Sequence, residues 1–269
     1  MAAGLRILLI GDLVGVIGLT MLKRWMEKLV VQHSVDAVIV NGENVALKGR
    51  GIHPNDAKAM FALGVKVITT GNHIWALREI YPYINSTPAL IRPANFPDCV
   101  PGKGFVQVEI KGTVVTVMNL MGRTFFREAL SCPFKKADEI IAAVRMRSQV
   151  VLVDFHAEAT SEKTAMGLYL DGKVSAVVGT HTHVQTADER ILPNGTAYLT
   201  DLGSSGSVNS CLGVDSNSVI QRFITQMPHT FAVDLKPPYQ LTGALVEIDR
   251  TTGKAISIER IRVVDDQQI

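Results

Sequence analysis

Residues 174–183 read Val-Ser-Ala-Val-Val-Gly-Thr-His-Thr-His, a short β-branched run that stops at a glycine and releases two imidazoles. The run has strand length, and its near-continuous apolar character marks a strand buried on both faces. The same unit recurs along the chain. Leu5–Ile10, Ala37–Val40, Val65–Thr69, Val114–Asn119, Val150–Val153 and Ala197–Thr200 are comparable runs, and each is followed by a polar break. Between them, Thr20–His33 and Pro54–Leu63 carry helical spacing, and Lys135–Arg147 reads as a helix opening after Pro133. Buried strands alternating with helices predict an α/β fold in which helices cover mostly parallel sheet.

Gly243–Asp249 and Ala255–Val263 flank the turn-like Thr251-Thr252-Gly253 and predict a β-hairpin, with Asp265–Ile269 as a frayed tail. Pro88–Gly104, with four prolines and two glycines, reads as a surface excursion. No repeat, low-complexity segment or Pro/Ser/Gly-rich linker interrupts the 269 residues, so one domain spanning 1–269 is expected. Within it, 204–238 is a candidate cap or oligomer contact.

Composition limits the functional classes. Apolar residues make up 47% and charged residues 19%, which excludes extensive disorder. With 27 basic and 25 acidic side chains the formal net charge is +2. That balance removes the electrostatic case for stable nucleic-acid binding or for attachment to anionic membranes. Cys99, Cys132 and Cys211 are far apart and form no Cys-x-x-Cys pair, so neither a disulfide framework nor a thiolate metal site is expected. The apolar stretch Leu5–Leu19 is broken by Asp12 and lacks a small-residue cleavage site. No run is long enough for a membrane span. A cytoplasmic protein is the expectation.

The residues at the end of each strand carry the chemistry. The runs end in Gly11-Asp12, Asn41-Gly42-Glu43-Asn44, Gly71-Asn72-His73, Asp154-Phe155-His156 and Gly179-Thr180-His181-Thr182-His183. In a parallel sheet these carboxyl ends share one edge, where open α/β folds bind their ligands. Asp12, Glu43, Asn44 and Asn72 offer oxygen, and His156, His181 and His183 offer nitrogen. That mixture suits iron, manganese or zinc rather than magnesium or calcium alone. Seven candidates exceed one tetrahedral ion and suit two ions bridged by a carboxylate and a hydroxide. Glycines before Asp12, His73 and His181 are read as letting the backbone leave its strand sharply.

Taken singly, each residue has an ordinary reading: His156 as hydrogen-bonded scaffold, Asn72 as a turn or cap, Asp12 as an N-cap, Glu43 as a surface acid. The weight lies in the conjunction. Of seven histidines only His33, His53 and His229 fall outside the strand-end motifs. A dinucleotide fold is a weaker alternative, because Gly11, Gly15 and Gly18 do not space as G-x-G-x-x-G and Glu43 lies too far on. Arg92, Arg123, Thr182 and the Thr160-Ser161 pair are read as surface or backbone-satisfying groups.

These motifs resemble the calcineurin-like metallophosphoesterases, and within them the YmdB-like bacterial phosphodiesterases. The general pattern runs Asp-x-His, Gly-Asp, Gly-Asn-His, a lone His, then Gly-His-x-His. Here Leu13-Val14 follows Asp12, and Gly42-Glu43-Asn44 replaces Gly-Asp, as in the YmdB-like branch, where Asn takes the lost ligand's place. Residues 153–163 and 179–188 extend the similarity, which reaches from about Arg6 to about Arg262. Ala76 and Ser204-Ser205 depart from it in detail.

The resemblance implies a calcineurin-like sandwich, with buried β-sheets flanked by helices and a dinuclear site at strand carboxyl ends. It implies that Asp12, Asn44 and His183 bind one ion, that Asn72, His156 and His181 bind the other, and that Glu43 bridges them. The two divalent or trivalent ions would be iron or manganese first, with zinc allowed. Implied activity is hydrolysis of cyclic nucleotides, foremost 2′,3′-cyclic nucleotides, by a homo-oligomer. A metal-bridging hydroxide would attack phosphorus, and metal-free His73, beside Asn72, would act as general acid for the leaving sugar oxygen. The alternatives are a metal-binding regulatory protein with incidental phosphatase or phosphodiesterase activity, or another metallohydrolase.

Overall fold

The computed structural model describes residues 4–268. In chain order the first half contains β1 (Leu5–Ile10), β2 (Asp12–Leu13), α1 (Gly15–Gln32), β3 (Ala37–Asn41), α2 (Pro54–Ala62), β4 (Val67–Thr69), α3 (Ile80–Ser86), β5 (Phe105–Ile110) and β6 (Thr113–Met121). There follow α4 (Pro133–Val144), β7 (Val150–His156), α5 (Thr160–Leu170), β8 (Ala176–Thr180), β9 (Arg190–Ile191), β10 (Ala197–Leu199), β11 (Ser204–Ser207), α6 (Ser216–Thr225), β12 (Tyr239–Ile248) and β13 (Ala255–Asp265). Among the described residues no helix is long and apolar enough to cross a membrane.

Two sheets face each other. One is ordered β2-β11-β12-β1-β3-β4, with β13 on β12; the other is ordered β5-β6-β7-β8-β10-β9. The strands β1, β3 and β4 are mutually parallel, as are β6, β7, β8 and β10.

Side-chain alternation explains the continuous apolar runs. On β1, Leu5, Ile7 and Leu9 point between the sheets, where they meet Val117, Leu152, Val178 and Leu199. Leu8 and Ile10 point the other way, under Leu22, Met26 and Leu29 of α1. On β7, Val150 and Leu152 face the inter-sheet core, while Val151, Val153 and Phe155 pack under α4 and α5 with Ile140, Val144 and Met166. Both faces are therefore buried. Each aliphatic so enclosed contributes about 1.5–3 kcal/mol relative to an exposed position. The result is a helix–sheet–sheet–helix sandwich, the fold class that the sequence predicts.

Several local expectations need correction. Pro88–Gly104 is not a surface excursion along its whole length, because residues 90–96 are all buried. That segment crosses from one sheet to the other: Ile91 donates its amide to Ile68, and Ala94 donates to Asn119. Prolines are tolerated there because the cross-sheet bonds are made by their neighbours. Helix α1 begins at Gly15 rather than Thr20. Asp265 is not frayed: it closes β13 and accepts from the Arg24 guanidinium and the Trp25 indole, each at 2.9 Å. The hairpin is longer than predicted, and β12 lies antiparallel beside β1, pairing Leu5 with Ile248 and Ile10 with Gly243.

The strand ends come from two sheets, not one. Asp12, Glu43, Asn44 and Asn72 follow β1, β3 and β4, whereas His156 ends β7 and His181 and His183 follow β8. The site lies where the facing sheets share a rim.

Candidate metal centre

All seven candidate ligands and His73 join one contact network. His156 Nε2 lies 3.3 Å from Glu43 Oε1, 3.0 Å from Asn72 Oδ1 and 3.0 Å from His181 Nδ1. Asn44 donates through Nδ2 to Glu43 Oε1 at 2.9 Å, and the same nitrogen sits 3.1 Å from His183 Nε2. His183 Nε2 is in turn 3.9 Å from Asp12 Oδ1. His73 donates its backbone amide to Glu43 Oε2 at 3.1 Å, and its Nδ1 contacts Asn44 Oδ1 at 2.7 Å.

Counting protons shows what the cluster lacks. Thr180 donates its hydroxyl to Asp154 Oδ1 at 2.7 Å, so His156 Nδ1, 2.9 Å from the same hydroxyl oxygen, must be the donor there. His181 Nε2 donates to Glu158 Oε2 at 2.9 Å. The nitrogens that remain, His156 Nε2 and His181 Nδ1, are lone pairs facing each other. With Glu43 they form a group whose ligand atoms lie within 4.8 Å of one another. The Asn72 carbonyl joins them. With both imidazoles neutral, four acceptors converge, the donor set of a transition-metal ion.

A second half-site repeats the pattern. His183 Nδ1 donates to Leu212 O at 2.9 Å, which leaves the Nε2 lone pair 3.9 Å from Asp12 Oδ1 and accepting from Asn44 Nδ2 at 3.1 Å. Asp12 Oδ2 accepts from the His181 amide at 3.1 Å, but its buried Oδ1 has no hydrogen-bond partner. A buried carboxylate oxygen left bare is costly, and a cation completes it. The residues therefore fit metal.

The electrostatics show a demand for positive charge, met here by a second proton on His156. Burial pushes the Asp12 carboxyl up to about 6, against the pull of His183 and His156. Burial alone would lower His156, but Glu43 overrides it and raises the imidazole to about 9. Burial and the charge on His156 hold His181 down at about 3. Glu43 is also buried, yet His156 and His73 keep it well below the ordinary carboxylate range. The centre is short of positive charge.

Strain and close approach build this geometry. On an extended segment His181 and His183 would diverge, and each could serve a different ion only if the chain turns. It does turn: both have positive φ, at 99° and 65°, and such strain clusters at functional sites. The strand-end glycines supply room rather than turning. A Cβ on Gly71 would lie 2.3 Å from the His156 ring and 2.4 Å from Glu43, and one on Gly179 would lie 1.9 Å from Thr200 O.

Behind the ligands, buried polar groups fix their orientation. Asp154 accepts from Asn41 Nδ2 at 3.0 Å, Thr69 Oγ1 at 2.5 Å and Thr180 Oγ1 at 2.7 Å, and through Thr180 it sets the His156 tautomer. Buried Lys163 donates to Thr180 O at 2.8 Å and pairs with Asp201, which also accepts from the Thr182 amide and hydroxyl. Asp154→Asn should weaken metal binding about 10–100-fold, because the amide presents donors to groups that are already donating. Chelator competition on the purified variant measures this, and unchanged affinity would contradict the orienting role.

Sequence reading missed Asp154, Glu158, Lys163 and Arg50. A carboxylate inside an otherwise apolar strand was the available signal for Asp154. Nothing local marks Arg50, which lines a cavity beside the centre with Asn72 and His181. Arg92 is neither solvated nor near the ligands: it is buried and donates to Pro101 O and Pro93 O. The Arg123 side chain is exposed, as expected.

The description "YmdB-like protein" fits residues 8–261 of the chain. A Bacillus subtilis (strain 168) protein named 2′,3′-cyclic-nucleotide 2′-phosphodiesterase is 48% identical over 262 residues, covering 97% of this chain and 98% of that protein. A crystal structure described as a novel phosphatase of Mycoplasma pneumoniae superposes with TM-score 0.92 at 34% identity, covering 99% of this chain and 95% of that one. A Thermus thermophilus protein superposes with TM-score 0.89 at 34% identity, covering 97% and 100% respectively.

Proposed function

The chain belongs to the YmdB-like family, and on that premise we propose that it is a metal-dependent phosphodiesterase that opens 2′,3′-cyclic nucleotides, the activity named for the Bacillus subtilis relative. One observation carries the reading: His156, His181, Glu43 and Asn72 converge, and with the imidazoles neutral all four present acceptor atoms to one another. Asn72, His156 and His181 would hold one cation, Asp12, Asn44 and His183 another, and Glu43 would be shared by both. Iron or manganese suits this nitrogen–oxygen set first, and zinc after them.

Bound divalent cations supply a water acidified toward neutrality and neutralise phosphoryl oxygens. The protein's own groups do the rest. His73 is fixed by its amide bond to Glu43 and by Nδ1, which donates to Asn44 Oδ1, so it is the imidazolium form that would deliver the Nε2 proton to the departing ribose oxygen. Phe126 packs its ring 4.9 Å from that of His181. Arg50 brings positive charge to the cavity where an anionic substrate would enter.

A turnover panel tests the activity. The metal-loaded protein is given 2′,3′-cyclic, 3′,5′-cyclic, phosphomonoester and amide substrates, and kcat/KM should be at least about tenfold higher for the 2′,3′-cyclic ester. Preference for a monoester or an amide would overturn the substrate assignment. Tight metal binding with no turnover on any of them would favour the regulatory alternative.

The inter-sheet core shared by both sheets supports residues 1–269 as one domain. On α6 and beyond, Ile220, Phe223, Ile224, Met227, Phe231 and Leu235 are exposed, which supports 204–238 as a contact between copies of the chain. Three free cysteines support a cytoplasmic location. The near-neutral charge supports small-molecule substrates rather than stable nucleic-acid binding.

A further inference from the structure

Phe125 sits in water for no reason the fold supplies. It is 82% exposed, and its φ of 67° is a backbone conformation that bulky residues seldom adopt. Its neighbours are pinned on both sides. The Glu162 carboxylate accepts from the Arg123 amide at 3.0 Å and the Thr124 amide at 3.2 Å, while Phe126 lies against His181. Between those anchors Phe125 lines a cavity of about 440 Å³ together with Asn72, His181, Arg50 and Arg127. That volume is within the range of small-molecule sites. Neither arginine has an ion-pair partner among the described residues.

The chemistry of a nucleoside cyclic phosphate matches this layout. Its phosphate belongs at the candidate ligands Asn72 and His181. The ribose is fused to that phosphate, and the base, attached to the carbon next to the one bearing the 2′-oxygen, falls a few bond lengths away in the same cavity. We propose that Phe125 is the specificity-determining residue that stacks the nucleobase. It selects nucleosides over base-free cyclic esters and tolerates different bases, because every base offers a π-face. This rests on the cyclic-nucleotide reading above.

Two measurements on the metal-loaded protein test it. First, the ratio of kcat/KM for adenosine 2′,3′-cyclic phosphate to that for glycerol 1,2-cyclic phosphate should fall roughly tenfold in Phe125→Ala, mostly through KM, and recover in Phe125→Trp. An unchanged ratio, or equal loss on both esters, would overturn the proposal. Second, calorimetric binding of adenosine 3′-monophosphate should weaken by a similar factor in Phe125→Ala, and equal affinity in both proteins would overturn it. If the wild type binds this nucleotide through Phe125 yet hydrolyses neither cyclic ester, the subsite stands and the assigned activity falls.

Discussion

Glu43→Gln and Glu43→Ala should both strip the centre of metal and lower kcat/KM for adenosine 2′,3′-cyclic phosphate by about 10⁴-fold. Glu43 is fully buried, and its Oε1 faces His156 at 3.3 Å, His73 at 3.5 Å and the Asn44 amide. Asp12, the other buried carboxylate at the cluster, reaches the His181 half only at its backbone amide. A glutamine keeps the volume and one carbonyl but not the charge, so two cations would sit close together without an anion between them. Elemental analysis of the purified variants, alongside activity, checks the expectation. Full occupancy with wild-type turnover would remove Glu43 from its shared position. The melting temperature in chelator separates loss of metal from loss of fold. The metal-free variants should melt close to the metal-free wild type, because the sandwich core lies below the rim.

His73→Ala should act differently. Metal content should persist, because His73 hydrogen-bonds to Glu43 and Asn44 but is not itself one of the proposed ligands. Turnover of the cyclic ester should fall about 10²–10⁴-fold, the usual contribution of a positioned acid. The discriminating observation is the leaving group. A ribose alkoxide needs a proton as it departs, whereas p-nitrophenolate does not. The variant should therefore lose far less activity on bis(p-nitrophenyl) phosphate than on the natural type of ester. Equal losses on both would mean that His73 only orients its neighbours.

The parts of this molecule that were legible from sequence were those where one physical demand dominates. Leu5–Ile10 and Val150–Val153 announce themselves as strands because helices cover one face and the opposite sheet covers the other. β5, whose Gln107 and Glu109 lie on a half-buried sheet edge, sends a diluted signal and was not read. The short strands β2 and β11 exist through pairing with distant residues, which no local pattern records, and β9 is only two residues long, in a small hairpin with β10. The candidate ligands were legible because polar residues ending apolar strands are conspicuous. Their gathering from two sheets was not, since alternation along one strand does not reveal what faces it. Residues 90–96 are obscured for a related reason: the four prolines of 88–104 suggest a loop, but only the packed structure shows that loop threading between the sheets.

Anomalous diffraction from crystals of the metal-loaded protein tests the central claim most directly. Two peaks should flank the Glu43 carboxylate, one against Asn72, His156 and His181, the other against Asp12, Asn44 and His183. A single peak away from Glu43, or metal bound only at other residues, would contradict the account.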